Sequence, residues 1–118
     1  MPGFTKNPVM AYDEGLAERI RIALPDVDGL IEKKMFGGLA FMVRGNMCVG
    51  IIKDELMARV GPTQYDLALN TSGAKKMDFT GRTMKGMVFV EPQFLAEDEQ
   101  LQYWLDLCMN FVNELPAK

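Results

Sequence analysis

Histidine is missing from this 118-residue chain, and serine (Ser72), tryptophan (Trp104) and cysteine (Cys48, Cys108) are scarce. Without histidine there is no Ser-His-Asp or Cys-His nucleophile system, no His-ligated zinc or iron, and no ordinary switch near neutral pH. The two cysteines lie far apart and form no CxxC pair, so they read as buried free thiols of a reducing compartment. Ser72 stands near Lys75 and Lys76, but a loop is a poor platform for a Ser-Lys pair. Carboxylates working as acid and base must converge in space. Asp54-Glu55 in a turn and Glu97-Asp98-Glu99 at a helix start face solvent instead. The chain is therefore not expected to be an enzyme, and neither a metal nor a cofactor is expected.

Long apolar runs are missing too. Nothing approaches the roughly 18 to 20 residues that span a bilayer, and Met1 to Met10 has no apolar stretch of the signal-peptide kind. A cytoplasmic location with no membrane association is the expectation. No repeat is visible, which removes solenoids and propellers. Positive charge is in short supply, with 13 Lys and Arg against 16 Asp and Glu for a net charge of −3. The whole-molecule field thus opposes nucleic acid, and no helix-turn-helix, zinc-finger or RRM pattern appears. Direct nucleic-acid binding is not expected.

What is present is a globular composition, 48% hydrophobic and 25% charged, in a length typical of one domain. Residues 1–10 read as a flexible extension and residues 11–118 as a single domain. From Tyr12 to Leu24 apolar residues recur at helical spacing, with Pro25 as the stop. Leu39–Val43, Met47–Ile52 and Leu56–Val60 read as a three-strand antiparallel meander with tight turns. Gly37-Gly38 just upstream reads as a bend where the first strand enters, not as a phosphate loop. Pro62 opens a second helix. Met77–Phe79 and Met87–Val90 are two further strands, joined through Thr80-Gly81-Arg82 and Lys85-Gly86. The stripe Leu101, Trp104, Leu105, Cys108, Met109, Phe111, Val112 and Leu115, up to Pro116, is a final helix. The order α-β-β-β-α-β-β-α predicts a two-layer α+β fold, an antiparallel sheet of about five strands with helices on one side.

Ten methionines invite the reading of an adaptable binding groove. Met35, Met42, Met47, Met57 and Met87 are better explained as core filling, whereas Met77 and Met84 flank a turn and are expected on an exposed patch. Lys33, Lys34, Arg59, Arg82 and Lys85 lie near strand ends and turns. Arg59 precedes the second helix, so its guanidinium is expected beside exposed amides there, as part of an anion site. Asp78 is a competing partner for Arg82. Trp104 and Phe111 fall on the buried stripe and are poor stacking platforms.

At Lys33-Lys34-Met35-Phe36-Gly37-Gly38, Arg59-Val60-Gly61-Pro62, Met77-Asp78-Phe79-Thr80-Gly81-Arg82 and Met84-Lys85-Gly86, the chain resembles the TfoX N-terminal domain family. The likeness runs from about Met10 to the C-terminus. It implies a secretion-chaperone-like two-layer fold and no accepted catalytic residues. In full-length members the domain belongs to competence regulators, which are thought to act beside the cyclic-AMP receptor protein and carry a helical C-terminal domain. This chain, ending at Lys118, is expected to be a stand-alone member. The leading expectation is a non-enzymatic regulatory or interaction module, linked to transcription or competence, that binds a protein partner. Its contact surface would comprise Lys34, Met35, Phe36, Arg59, Arg82, Met84 and Lys85. The alternative is a small-anion or nucleotide-binding domain using Lys34, Arg59 and Arg82. A free sheet edge would also allow a homodimer.

Overall fold

The computed structural model describes residues 12–24, 27–35, 37–79 and 82–118, and the backbone alone of 78, 79 and 82–84. The extension expected at residues 1–10 lies outside the described residues. Among the described residues six strands form one open antiparallel sheet: β1 (Leu30–Met35), β2 (Gly38–Val43), β3 (Asn46–Ile52), β4 (Glu55–Arg59), β5 (Ala74–Phe79) and β6 (Arg82–Val90). Their spatial order is β1-β2-β3-β4-β6-β5. The meander β2-β3-β4 is the one read from the apolar runs. Its connections are two-residue turns at Arg44-Gly45 and Lys53-Asp54, where Val43 pairs with Asn46 and Ile52 with Glu55. Arg44, Gly45 and Lys53 take positive φ, which matches the right-handed twist of the flanking strands.

β1 is an additional strand. Its sequence, LIEKKM, is exposed at its four central positions, so it carries no apolar alternation. Gly37-Gly38, expected to be a bend, is part of the β1–β2 hairpin: Met35 pairs with Gly38 and Gly37 has φ +75. A Cβ at Gly38 would run into the Ile51 carbonyl. β6 also begins earlier than expected. Phe79 pairs with Arg82, so Arg82, Lys85 and Gly86 sit within a strand rather than in a connection. The Gly86 carbonyl accepts from the Val60 and Gly61 N–H groups at 2.8 and 3.0 Å.

The helices cover one face. In α1 (Glu14–Ala23), the Asp13 carboxylate accepts from the Gly15 and Leu16 N–H groups at 2.8 and 3.1 Å, an N-cap worth about 1 kcal/mol. α2 (Tyr65–Leu69) starts only after a turn at residues 62–64, three residues later than Pro62 suggests. α3 (Asp98–Val112) follows a short 3₁₀ turn at Pro92–Phe94 and ends before the expected stop at Pro116. Its Gln100 side chain accepts from the Glu97 N–H at 2.9 Å. Leu16 and Ile20 of α1, with Trp104, Leu105 and Cys108 of α3, pack on Phe41, Val49, Leu56 and Val88 of the sheet. Each fully buried aliphatic side chain contributes about 1.5–3 kcal/mol. The class is α+β, as the element pattern predicts.

Strand alternation sends the remaining apolar residues to the opposite face. Ala40, Met47, Met57, Met77 and Met87 form a second cluster there, with Met35, Met42, Ile52 and Phe89 against it. Met77, expected on an exposed patch, is fully buried. It lies inside β5, which begins at Ala74, rather than at a turn. Ala40 pairs with Gly50, and Gly50 with Met57. That row of small residues makes room for thioethers: a Cβ on Gly50 would come within 2.5 Å of Met57 Cε and 3.1 Å of Met47 Cε.

Candidate functional site

A pocket of about 410 Å³ opens at one end of this methionine face. Its floor is Met35, Met42, Met47 and Met87, and its rim carries Arg59, Lys85, Lys118 and Phe111. Each strand contributes by register. Met42 of β2 pairs with Met47 of β3, and Arg59 of β4 with Met87 of β6. Lys85 stands two residues from Met87 along the same strand. No carboxylate side chain lines the pocket.

A β-bulge positions the central cation. Phe41 pairs with Val49 but Met42 with Met47, so Cys48 is an extra residue in β3. The bulge lets Cys48 face the helices while Met47 faces the pocket. Arg59 Nη1 donates to the Met47 carbonyl at 3.1 Å, and the guanidinium lies 5.3 Å from the centroid of the Phe111 ring. Held on one side by these contacts, a guanidinium with five N–H donors keeps others for a ligand. This corrects the expectation that Arg59 sits beside the amides of the second helix. Phe111 also closes against Gly61, whose φ is +85; any Cβ there would collide with the ring.

Of the residues singled out from sequence, Met35, Arg59 and Lys85 converge on this pocket. Lys34 does not. It pairs with Leu39, which belongs to the helix-side core, so its side chain leaves the sheet on the opposite face. Phe36 lies outside the described residues, as do the side chains of Arg82 and Met84 and with them the expected Asp78–Arg82 pair. Met35, Met42, Met47 and Met87, all expected to fill the core, are half-buried or buried, yet they also form the pocket floor. Phe111, expected on the buried stripe of α3, is only half-buried. Its position one step to the side of Cys108 and Val112 is the signal that it borders the stripe.

Both thiols lie beneath this end of the sheet, fully buried. Burial pushes the Cys48 thiol up to about 12, with the Arg59 charge pulling weakly the other way. Cys108 is also raised, by burial first and then by Cys48. Thiols so far from the thiolate are poor nucleophiles. Cys48 instead donates to the Met109 sulfur at 3.7 Å. Among the described residues no group of three His, Cys, Asp or Glu side chains is arranged to hold a metal ion.

Residues 23–112 match the sequence model of the TfoX N-terminal domain. The chain belongs to that family. The match extends from the end of α1 to the last residue of α3 and so includes the whole sheet and most of the pocket. No curated protein and no solved structure matches the chain. In this TfoX N-terminal domain, Gly37-Gly38, Arg59 to Pro62 and Gly86 fall on structural joints. Gly37-Gly38 belongs to the β1–β2 hairpin, and Arg59 to Pro62 runs along the pocket rim. Gly86 receives the backbone of Val60 and Gly61. No helix among the described residues is long and apolar enough to cross a membrane.

Proposed function

We propose that this TfoX N-terminal domain is a non-enzymatic, cytoplasmic protein-interaction module serving transcription or competence regulation. The observation that carries the reading is one pocket that joins a methionine floor to the guanidinium of Arg59 and the ammonium of Lys85. Methionine side chains repack around varied apolar anchors, and arginine is enriched where binding energy concentrates. The lack of histidine and the raised, buried thiols support a binding role over a catalytic one.

The test is capture of partners from lysate of the source cells by the tagged full chain, with bound proteins identified by mass spectrometry. A transcription regulator recovered by wild type and lost with Lys85→Glu is the expected result. Recovery of the same proteins by both forms would overturn the pocket as the contact surface. The second reading, a small-anion or nucleotide site, is favoured by two cations, Arg59 and Lys85, on one pocket. It predicts a rise in melting temperature with phosphate or a nucleotide.

A further inference from the structure

We infer that the ligand of the methionine pocket is an acidic amphipathic peptide segment of the partner, an apolar anchor side chain flanked by carboxylates. This inference rests on the interaction-module reading above. The floor of Met35, Met42, Met47 and Met87 offers only apolar and thioether surface, which recognises an aliphatic or aromatic side chain. The rim offers cations and no carboxylate side chain. Lys85 is exposed and makes no ion pair among the described residues. Arg59 makes none either; its described bond goes to a neutral carbonyl.

The other end of the same face shows what an internally satisfied cation looks like here. Lys75 of β5 holds Glu55 at 2.8 Å and Glu91 at 3.8 Å. In a chain with more acids than bases, a pocket edged by Arg59 and Lys85 without acidic side chains is a local inversion of the overall charge. Such a site selects negative partners and disfavours basic ones by like-charge repulsion. A bare inorganic anion would satisfy the rim and leave the methionine floor unused; a neutral apolar ligand would do the reverse. A peptide carrying both features matches both halves of the site.

The experiment is selection of displayed random dodecapeptides on the full chain, followed by fluorescence polarisation of the enriched peptides. The expected outcome is enrichment of Asp or Glu beside Leu, Phe or Met. Affinity should fall about tenfold or more when Lys85 is changed to Glu, and weaken with added salt. Met35→Ser, a half-buried change at the floor, should weaken the same peptides, whereas Lys34→Glu on the opposite face leaves them within about twofold. Enriched peptides that are neutral or basic, or that ignore Lys85→Glu, overturn the inference. So does an empty selection, whether or not decanoate or inorganic phosphate binds in its place. The two proposals fail separately. A lysate partner still lost with Lys85→Glu, but carrying no acidic apolar segment, sinks this inference and leaves the module reading standing.

Discussion

Among the described residues, the Arg59 side chain makes a hydrogen bond to the Met47 carbonyl at 3.1 Å and a cation–π approach to Phe111 at 5.3 Å. A charged hydrogen bond and a partly exposed cation–π contact together contribute about 2 kcal/mol. Arg59→Ala should lower unfolding free energy by that amount in urea titrations. Arg59→Lys should recover less than half, because an ammonium cannot reproduce the planar fork. A loss below about 0.5 kcal/mol would mean that neither contact steadies the bulge. The thiols give a second residue-level expectation. Cys48 keeps its proton in the folded state up to about 12, against an ordinary value of 9.0. Between those limits the unfolded chain releases a proton that the native chain retains. The Cys48 contribution to stability should therefore fall as pH rises through that window, by up to about 1.4 kcal/mol per pH unit. A native protein whose thiols react with a disulfide reagent at pH 8 as fast as the unfolded chain would refute this burial.

Strand β3 is the element on which both faces depend. It carries Val49 and Ile51 into the helix-side core, Met47 into the pocket floor, and Gly50 beneath the Met57 thioether. At Gly50 a methyl group would meet Met57 Cε at 2.5 Å and the Leu39 carbonyl oxygen at 2.9 Å. Gly50→Ala should thus destabilise by about 1–3 kcal/mol through overpacking. Gly37 in the β1–β2 turn faces open space but has φ +75, so Gly37→Ala should be felt only through backbone strain, about 1–2 kcal/mol. Added to Gly50→Ala, truncation of Met57 to Ala would relieve part of the first effect and none of the second. Equal responses of the two glycine variants to that truncation, in thermal or urea unfolding, would argue against overpacking as the cause.

For the whole molecule, the sheet runs from the exposed edge strand β1 through the buried centre, β3 and β4, to β5. Amide hydrogen exchange should be slowest in β3 and β4 and fastest in β1, since local opening follows the density of buried contacts. β1 is tied to α1 by Arg21, whose Nε and Nη2 donate to Glu32 at 2.6 and 2.8 Å. The Arg21 guanidinium holds the Glu32 carboxyl below its ordinary value. That contribution is complete above the ordinary carboxylate range and is lost as pH falls through the lowered folded-state value. Protection of β1 should consequently drop on acidification before that of β3, and Glu32→Gln should abolish the difference. Both partners are about one-third exposed, so the effect belongs to the edge and not to global stability.

The sequence by itself determined the class of the fold and the run of the meander, because short apolar runs and turn residues act locally. It also marked the two long helices through their spacing and singled out Met35, Arg59 and Lys85. It did not reveal β1, whose Glu32, Lys33 and Lys34 carry no apolar period and which exists because β2 offers it hydrogen-bond partners. Nor could it separate Lys34 from Arg59. Which face a side chain takes depends on register, and one bulge at Cys48 or one hairpin at Gly37 resets that parity. The methionines show the same division. Composition made them conspicuous, but only pairing across the sheet decided that Met77 is buried while Met42, Met47 and Met87 form the floor of a cationic pocket. Contacts between residues distant in the chain are fixed by packing, and no local pattern encodes them.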